Sequence, residues 1–227
     1  LNMQQTTFGK QMRQFGRAGG GSIEAGENNE PDTLDQTQLH EPSPFGGDSG
    51  ATAEGGAVDA QAVLTAGIQD ISNTLVDGFK LNDILRIILE TMYRAMGFKR
   101  VVLCIRDAKA GAMQGKFGFG PEANEIAKAF RFPLSFSPDV FHASTSKGVD
   151  ILISDIDDPK IAARIPEWYR KAVPAHSFVL FPLNLKGNPI ALIYADHDAP
   201  GGIDIPEKEL SLLRTLRNQA ILAIKTG

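Results

Sequence analysis

Apolar residues recur along most of this chain in two rhythms, one of three and four residues and one of two. Val63, Leu64, Ile68, Ile71 and Leu75 fall at helical spacing, and Gly78 supplies a stop. Leu81, Ile84, Leu85, Ile88, Leu89, Met92 and Met96 repeat that rhythm, with Asn82 or Asp83 near the start and Gly97 after the end. Residues 100–106 then read as a strand, 108–111 as a turn, and 112–119 as a partner strand weakened by its glycines. A short helix follows over 121–130, a short strand over 132–136, and a helix over 139–147 that Gly148 closes. Residues 151–153 form a buried strand, and 160–173 a helix broken at Pro166. Two β-rich runs, 177–185 and 189–196, flank Lys186-Gly187-Asn188 and predict a hairpin. A last helix starts from Asp204 as N-cap, with Pro206 in its first turn and Glu207 completing a capping box.

The last helix carries Leu210, Leu213, Arg217, Ala220 and Ile224 on one face, with Leu212, Leu216 and Ala223 beside it. An arc this wide predicts packing on more than the helix's own sheet. The first helix is similarly amphipathic. Both ends of the domain are therefore expected on one face of an antiparallel sheet, offering a homodimer surface through Ile68, Leu75, Leu213, Leu216 and Ile224.

The rhythm is absent before residue 58. Met3, Phe8, Met12 and Phe15 lie about four apart, which fits either the tail of an upstream domain or an unstructured stub over 1–17. Residues 18–57 are rich in Gly, Glu, Asp, Asn, Ser and Pro, and too poor in apolar groups to offset the entropy of ordering. They read as a disordered, acidic, Gly-rich linker, followed by a folded domain over 58–227. The chain opens on Leu1-Asn2-Met3 rather than on Met, so an upstream signalling domain in the same protein is expected.

Charge sharpens this division. Residues 1–17 hold three basic side chains and no acid, whereas 18–57 hold eight acids and neither Lys nor Arg. The rest is nearly neutral, which argues against the basic footprint that DNA or RNA binding needs. No apolar run approaches the roughly 18 residues of a membrane span, and no partner membrane is expected. The single cysteine, Cys104, allows no internal disulfide and fits a reducing, cytoplasmic setting.

Several stretches carry a family resemblance. They are Leu81-Asn82-Asp83-Ile84-Leu85, Ile151-Leu152-Ile153-Ser154-Asp155-Ile156-Asp157-Asp158-Pro159, Phe178-Val179-Leu180-Phe181-Pro182-Leu183, the run from Gly187 to Asp196, and Ile205-Pro206-Glu207-Lys208-Glu209-Leu210. From about residue 60 to 226 the chain resembles a GAF domain of bacterial signal-transduction proteins. A linker-joined GAF domain after an HDOD-type regulatory domain is one arrangement it resembles. The resemblance implies an α+β fold: a six-stranded antiparallel sheet flanked by helices, with a ligand cavity roofed by residues 132–176. It also implies a non-catalytic sensor that binds a small molecule and transmits through its terminal helices. The alternative is a dimerisation module with a filled pocket.

The chemistry available is limited. Cys104 sits mid-strand and reads as core; one cysteine cannot form and resolve the internal disulfide that GAF-type methionine sulfoxide reductases use. The Asn-Lys-Phe-Asp-Glu signature of cyclic-nucleotide GAF domains is absent, no glycine-rich phosphate loop follows a strand, and no cofactor is named by any motif. His142, His176 and His197 are scattered. Asp196-His197-Asp198 reads as a solvated turn and Asp158-Pro159 as a helix start. Phe117, Phe119, Phe130, Phe132, Phe136, Phe141, Trp168 and Tyr169 concentrate in the implied cavity region, as core or as pocket lining. The candidate ligand-binding set is Phe119, Phe136, His142, Ser154, Asp155, Arg164, Trp168, His176 and Tyr194, with no catalytic or metal residue.

Overall fold

The computed structural model describes residues 59–77 and 80–226. The expected segments 1–17 and 18–57 and the Gly78 stop lie outside the described residues.

Helix α1 (Ala60–Asp77) is capped by Asp59, whose carboxylate accepts the N–H groups of Gln61 and Ala62. It buries Leu64 and Ile71, with Gly67 between them against Thr91 of α2 (Leu81–Met96). Without a side chain at Gly67 the two helices approach closely. Helix α2 buries Ile84, Leu85, Ile88, Leu89 and Met92 along one stripe and ends at Gly97, whose φ of 62° is left-handed. Its N-cap is Lys80 with no side-chain bond, so neither Asn82 nor Asp83 caps it.

Strands β1 (Arg100–Asp107) and β2 (Ala112–Phe119) follow, then α3 (Ala123–Ala129), β3 (Arg131–Pro133) and α4 (Val140–Lys147). Asp139 caps α4 by accepting the N–H of His142, and Gly148 closes the helix at φ 65°. After β4 (Ile151–Ile153) the helix expected over 160–173 with a break at Pro166 is two short pieces, a 3₁₀ turn Ala162–Arg164 and α5 (Glu167–Ala172). Pro166 separates them because it cannot supply a helical N–H. The expected strand over 132–136 shrinks to three residues for want of a longer partner stretch on β2.

The hairpin β5 (Ser177–Leu185) and β6 (Asn188–His197) turns on two residues rather than three. Lys186 and Gly187 have φ of 51° and 80°, and Asn188 already pairs with Leu185. Two positive φ angles match the right-handed twist of the strands. Pro182 lies beyond the last β4 pair, Ile151 with Leu180, so its missing N–H costs no ladder bond there. Helix α6 (Glu207–Thr226) starts three residues past Asp204; Pro206 holds the N-cap place, its carbonyl accepting from Leu210.

The six strands form one antiparallel sheet in the order β3-β2-β1-β6-β5-β4, so the fold class is α+β. Side chains alternate between its faces. Val101, Leu103, Val179, Phe181, Leu183 and Ile193 join α1, α2 and α6 at the back. Val102, Cys104, Ile151, Ile153, Phe178, Leu180, Leu192 and Tyr194 join α3, α4 and α5 at the front.

Glycine sets the spacing of one front helix. A Cβ on Gly115 would sit 2.0 Å from the Ala127 carbonyl oxygen. Gly115→Ala must push α3 away from β2 and is expected to cost about 1–3 kcal/mol, read as a lowered midpoint in thermal unfolding.

Candidate functional site

The front layer is where the family's cavity would lie, and aromatic rings occupy it. Phe141 of α4 meets Phe130, Phe132, Trp168, Tyr169 and Phe178 at centroid distances of 5.1–6.2 Å. Tyr194 of β6 meets Phe130 at 4.7 Å, Phe178 at 5.8 Å and Tyr169 at 6.0 Å. Phe130, Phe141, Tyr169, Phe178 and Tyr194 are fully buried, and Trp168 is half-buried, stacked on Phe132. Such tilted and edge-on contacts favour a packed layer beyond the area they bury.

Below the rings lies a buried polar chain. The Tyr169 hydroxyl is 2.9 Å from that of Tyr194, which donates to Asp196 Oδ2 at 2.7 Å. Tyr194 spends its proton on the carboxylate, so Tyr169 is the donor to Tyr194. Arg100 is 1% exposed and Asp196 0%; Arg100 Nε lies 3.0 and 2.9 Å from the two carboxylate oxygens. Its Nη2 donates to the Pro174 carbonyl at 2.9 Å and reaches Asp198 at 3.5 Å. The chain thus ties α5 and the loop after it to the central strands. Burial pushes both tyrosine hydroxyls well above their usual range. It also raises Asp196, against the lowering pull of Tyr194 and Arg100.

This corrects the solvated-turn reading of Asp196-His197-Asp198. Only Asp198 is exposed there, paired with Lys99. His197 Nδ1 accepts the N–H of Ala199. The sequence reading missed Arg100 as a site residue. The signal was available: Arg100 shares a strand face with Val102 and Cys104, and it pairs across the sheet with Asp196, on the face of Tyr194.

The nine candidate residues do not converge. Trp168 and Tyr194 belong to the ring layer. Phe119 points to the back, packed with the α1, α2 and α6 core, because its register partner on β1 is Val101, a back-face residue. Phe136 is 82% exposed, its ring 5.4 Å from that of half-buried His142, whose Nδ1 is buried without a hydrogen-bond partner among the described residues. Arg164 is exposed and lies near the same rim, Nη1 being 3.5 Å from the Pro138 carbonyl. Ser154 is exposed, and its carbonyl accepts from Gly201. Asp155 accepts the N–H of Asp157 in a tight turn, and exposed His176 stands 3.8 Å from Asp157.

Asp155, Asp157 and His176 hold potential ligand atoms within 4.8 Å of one another. Arg170 Nη1, 2.7 Å from Asp157, already supplies the positive charge that a cation would bring. Cys104 is buried in the front core, and burial pushes its thiol far above the range where a thiolate forms. Open grooves flank the layer, one between α3 and α5 lined by Glu122, Glu125, Arg170 and Lys171, another by Lys99, Arg170, His176 and Asp198. Among the described residues no helix is long and apolar enough to cross a membrane.

A six-stranded antiparallel sheet with helices on both faces and a ring-filled front defines a small α+β module. The chain belongs to the GAF family: the model of the GAF domain matches residues 80–224. No curated protein matches the chain. Its fold resembles the GAF domain of a phosphoenolpyruvate-protein phosphotransferase from Acinetobacter, at 17% identity over 72% of this chain and 91% of that one, with a TM-score of 0.57. A methyl-accepting chemotaxis protein, residues 122 to 287, is similar at 19% identity over 68% and 94%, TM-score 0.55. A free methionine-R-sulfoxide reductase from Neisseria meningitidis, in complex with its substrate, is similar at 19% identity over 75% and 95%, TM-score 0.53. At these identities the likeness is one of fold. Domains of this family are commonly sensory or regulatory parts of larger signalling proteins, and generally non-catalytic.

Proposed function

We propose that this domain is a non-catalytic regulatory GAF module whose front layer is filled by its own side chains and which pairs with a second copy through the ends of α1 and α6. One observation carries the first half: five fully buried aromatic side chains, with Phe141 and Tyr194 at their centre, stand where a bound molecule would sit. A ligand in that place would have to displace rings that already contact one another.

The pairing half rests on the terminal helices. Gln61 Nε2 donates to Glu209 and Gln219 Nε2 to Ser72, offsets of 148 and 147 residues. The helices therefore run parallel, and Val76 comes level with Ala223 and Ile224. Val76 is 85% and Leu222 48% exposed, with Leu75, Ile221 and Ile224 partly buried beside them. An apolar cluster at the shared end of two helices fits a self-complementary two-fold contact. An upstream signalling domain in the same cytoplasmic protein completes the reading, with the acidic composition of 18–57 fitting a tether.

The small-molecule reading is favoured by a different observation, the incomplete roof. Trp168 is half-buried, and Phe136, His142 and Arg164 share the adjacent rim. Native mass spectrometry of the purified chain, with an absorbance scan on the same sample, separates the two readings. A dimer at twice the bare chain mass is the expected result. A co-purified small molecule or a visible absorption band would replace the filled-module reading with a sensor, and a bare monomer would remove the pairing.

A further inference from the structure

Helices α4 and α6 lie on opposite faces of the sheet, yet one buried carboxylate joins them. Asp150 directly precedes edge strand β4, and its side chain is only 4% exposed. Its Oδ2 accepts from Arg214 Nε at 2.8 Å and its Oδ1 from Arg217 Nη1 at 2.5 Å, both on α6. On its other side Asp150 is fixed to α4 through three residues. Gly148 N–H and Val149 N–H donate to the Ser144 carbonyl, and Ser144 Oγ donates to the Val149 carbonyl at 3.0 Å. Asn184 of β5 adds a bond to the Thr145 carbonyl at 2.9 Å. The carboxylate therefore has a rigid mount on α4 and two charge-assisted bonds to α6, more than a β-edge acid needs for solubility.

Both ends of this clasp lead onward. Phe141 of α4 touches five rings of the front layer. Further along α6 than Arg214 and Arg217, Gln219 Nε2 donates to the Ile68 carbonyl and to Ser72 Oγ of α1. We propose that Asp150 couples front helix α4 to terminal helix α6 around the sheet edge, so that a displacement of the front rings is delivered to the two terminal helices. This rests on the regulatory reading above and supplies its transmission path. Asp150 is a positioning residue in that path. It makes α4 and α6 move as one body, whatever displaces the rings: a ligand, a partner or a substitution. Coupling of this kind is an interaction free energy between two sites, which a double-mutant cycle isolates.

Amide hydrogen exchange on the full chain tests it, with Phe141→Leu as the displacement at the front and α2 as an internal reference for general loosening. With Asp150 in place, Phe141→Leu is expected to speed exchange in residues 214–220 by about threefold or more beyond the change in α2. In the Asp150→Asn background the same substitution should produce less than half of that excess. If Asp150→Asn does not fold, Arg217→Gln replaces it, cutting one of the two bonds and leaving Arg214 on the carboxylate. The proposal is overturned if α6 changes only in step with α2, or if the excess survives intact when the clasp is cut. Neither outcome depends on a ligand or on dimer formation, so failure here leaves the function proposed above standing, and the two failures are told apart by exchange in α6 and by native mass.

Discussion

Arg100→Met is expected to destabilise the domain by about 3–5 kcal/mol, because it strands a buried carboxylate without its partner. Among the described residues the Asp196 carboxylate would keep only the Tyr194 hydroxyl, and the Pro174 carbonyl would lose the Arg100 donor. Urea unfolding measures the loss as a shifted midpoint at unchanged slope. The double variant Arg100→Met, Asp196→Leu should recover most of it, since an apolar pair no longer carries a desolvated charge. Equal losses in the single and double variants would mean that the pair is not the origin of the effect.

The same carboxylate has a signature in pH. Burial raises Asp196 above its ordinary value of 3.8, outweighing Tyr194 and Arg100. The folded state then holds this proton more tightly than the unfolded chain does. Between the ordinary and the raised value the native state binds more protons, so stability falls as pH rises. The contribution is fully present below the ordinary value and is lost as pH climbs through the raised one. Asp196→Asn removes the titration, and its unfolding midpoint should lack that descending step. A variant that descends in parallel with the wild type would assign the step to another group.

Much of the architecture was legible because it follows from period and punctuation. The three-and-four repeat of α2, its Gly97 stop and the β5–β6 runs each have local causes, and each element formed within a residue or two of its expected place. The break at Pro166 in the 160–173 stretch is local and stands where it was expected. The element that shifted was decided by a partner elsewhere in the chain: β3 stops at three residues where its pairing with β2 ends. The site was less legible for the same reason. Phe119 and Tyr194 are both aromatic strand residues, and only strand register assigns them to opposite faces. Asp150 gives no local sign of its role. The clue is Arg217, a charged residue inside the apolar arc of α6, which requires a buried acid somewhere in the fold.

That arc also changes how the terminal helices must be tested. Leu213 and Leu216, expected at a dimer surface, are fully buried beneath the sheet, because α1, α2 and α6 close over the back face within one chain. Leu213→Asp is therefore expected to unfold the domain rather than split a dimer. It forfeits about 2–5 kcal/mol of leucine packing and places an unpaired carboxylate in the core at a cost of several more. Together these approach the whole margin of a small domain, roughly 5–15 kcal/mol. Far-UV circular dichroism should show the loss of helix, and a folded variant would mean that α6 does not form the core. Charges at Val76 and Leu222 act elsewhere. Both side chains already meet solvent, so Val76→Asp with Leu222→Asp should leave the dichroism and the unfolding midpoint nearly unchanged. Light scattering should then report a monomer, since two like charges would face their own copies across a two-fold axis at every contact. If that folded double variant still sediments as a dimer, the pairing surface lies on another face of the domain.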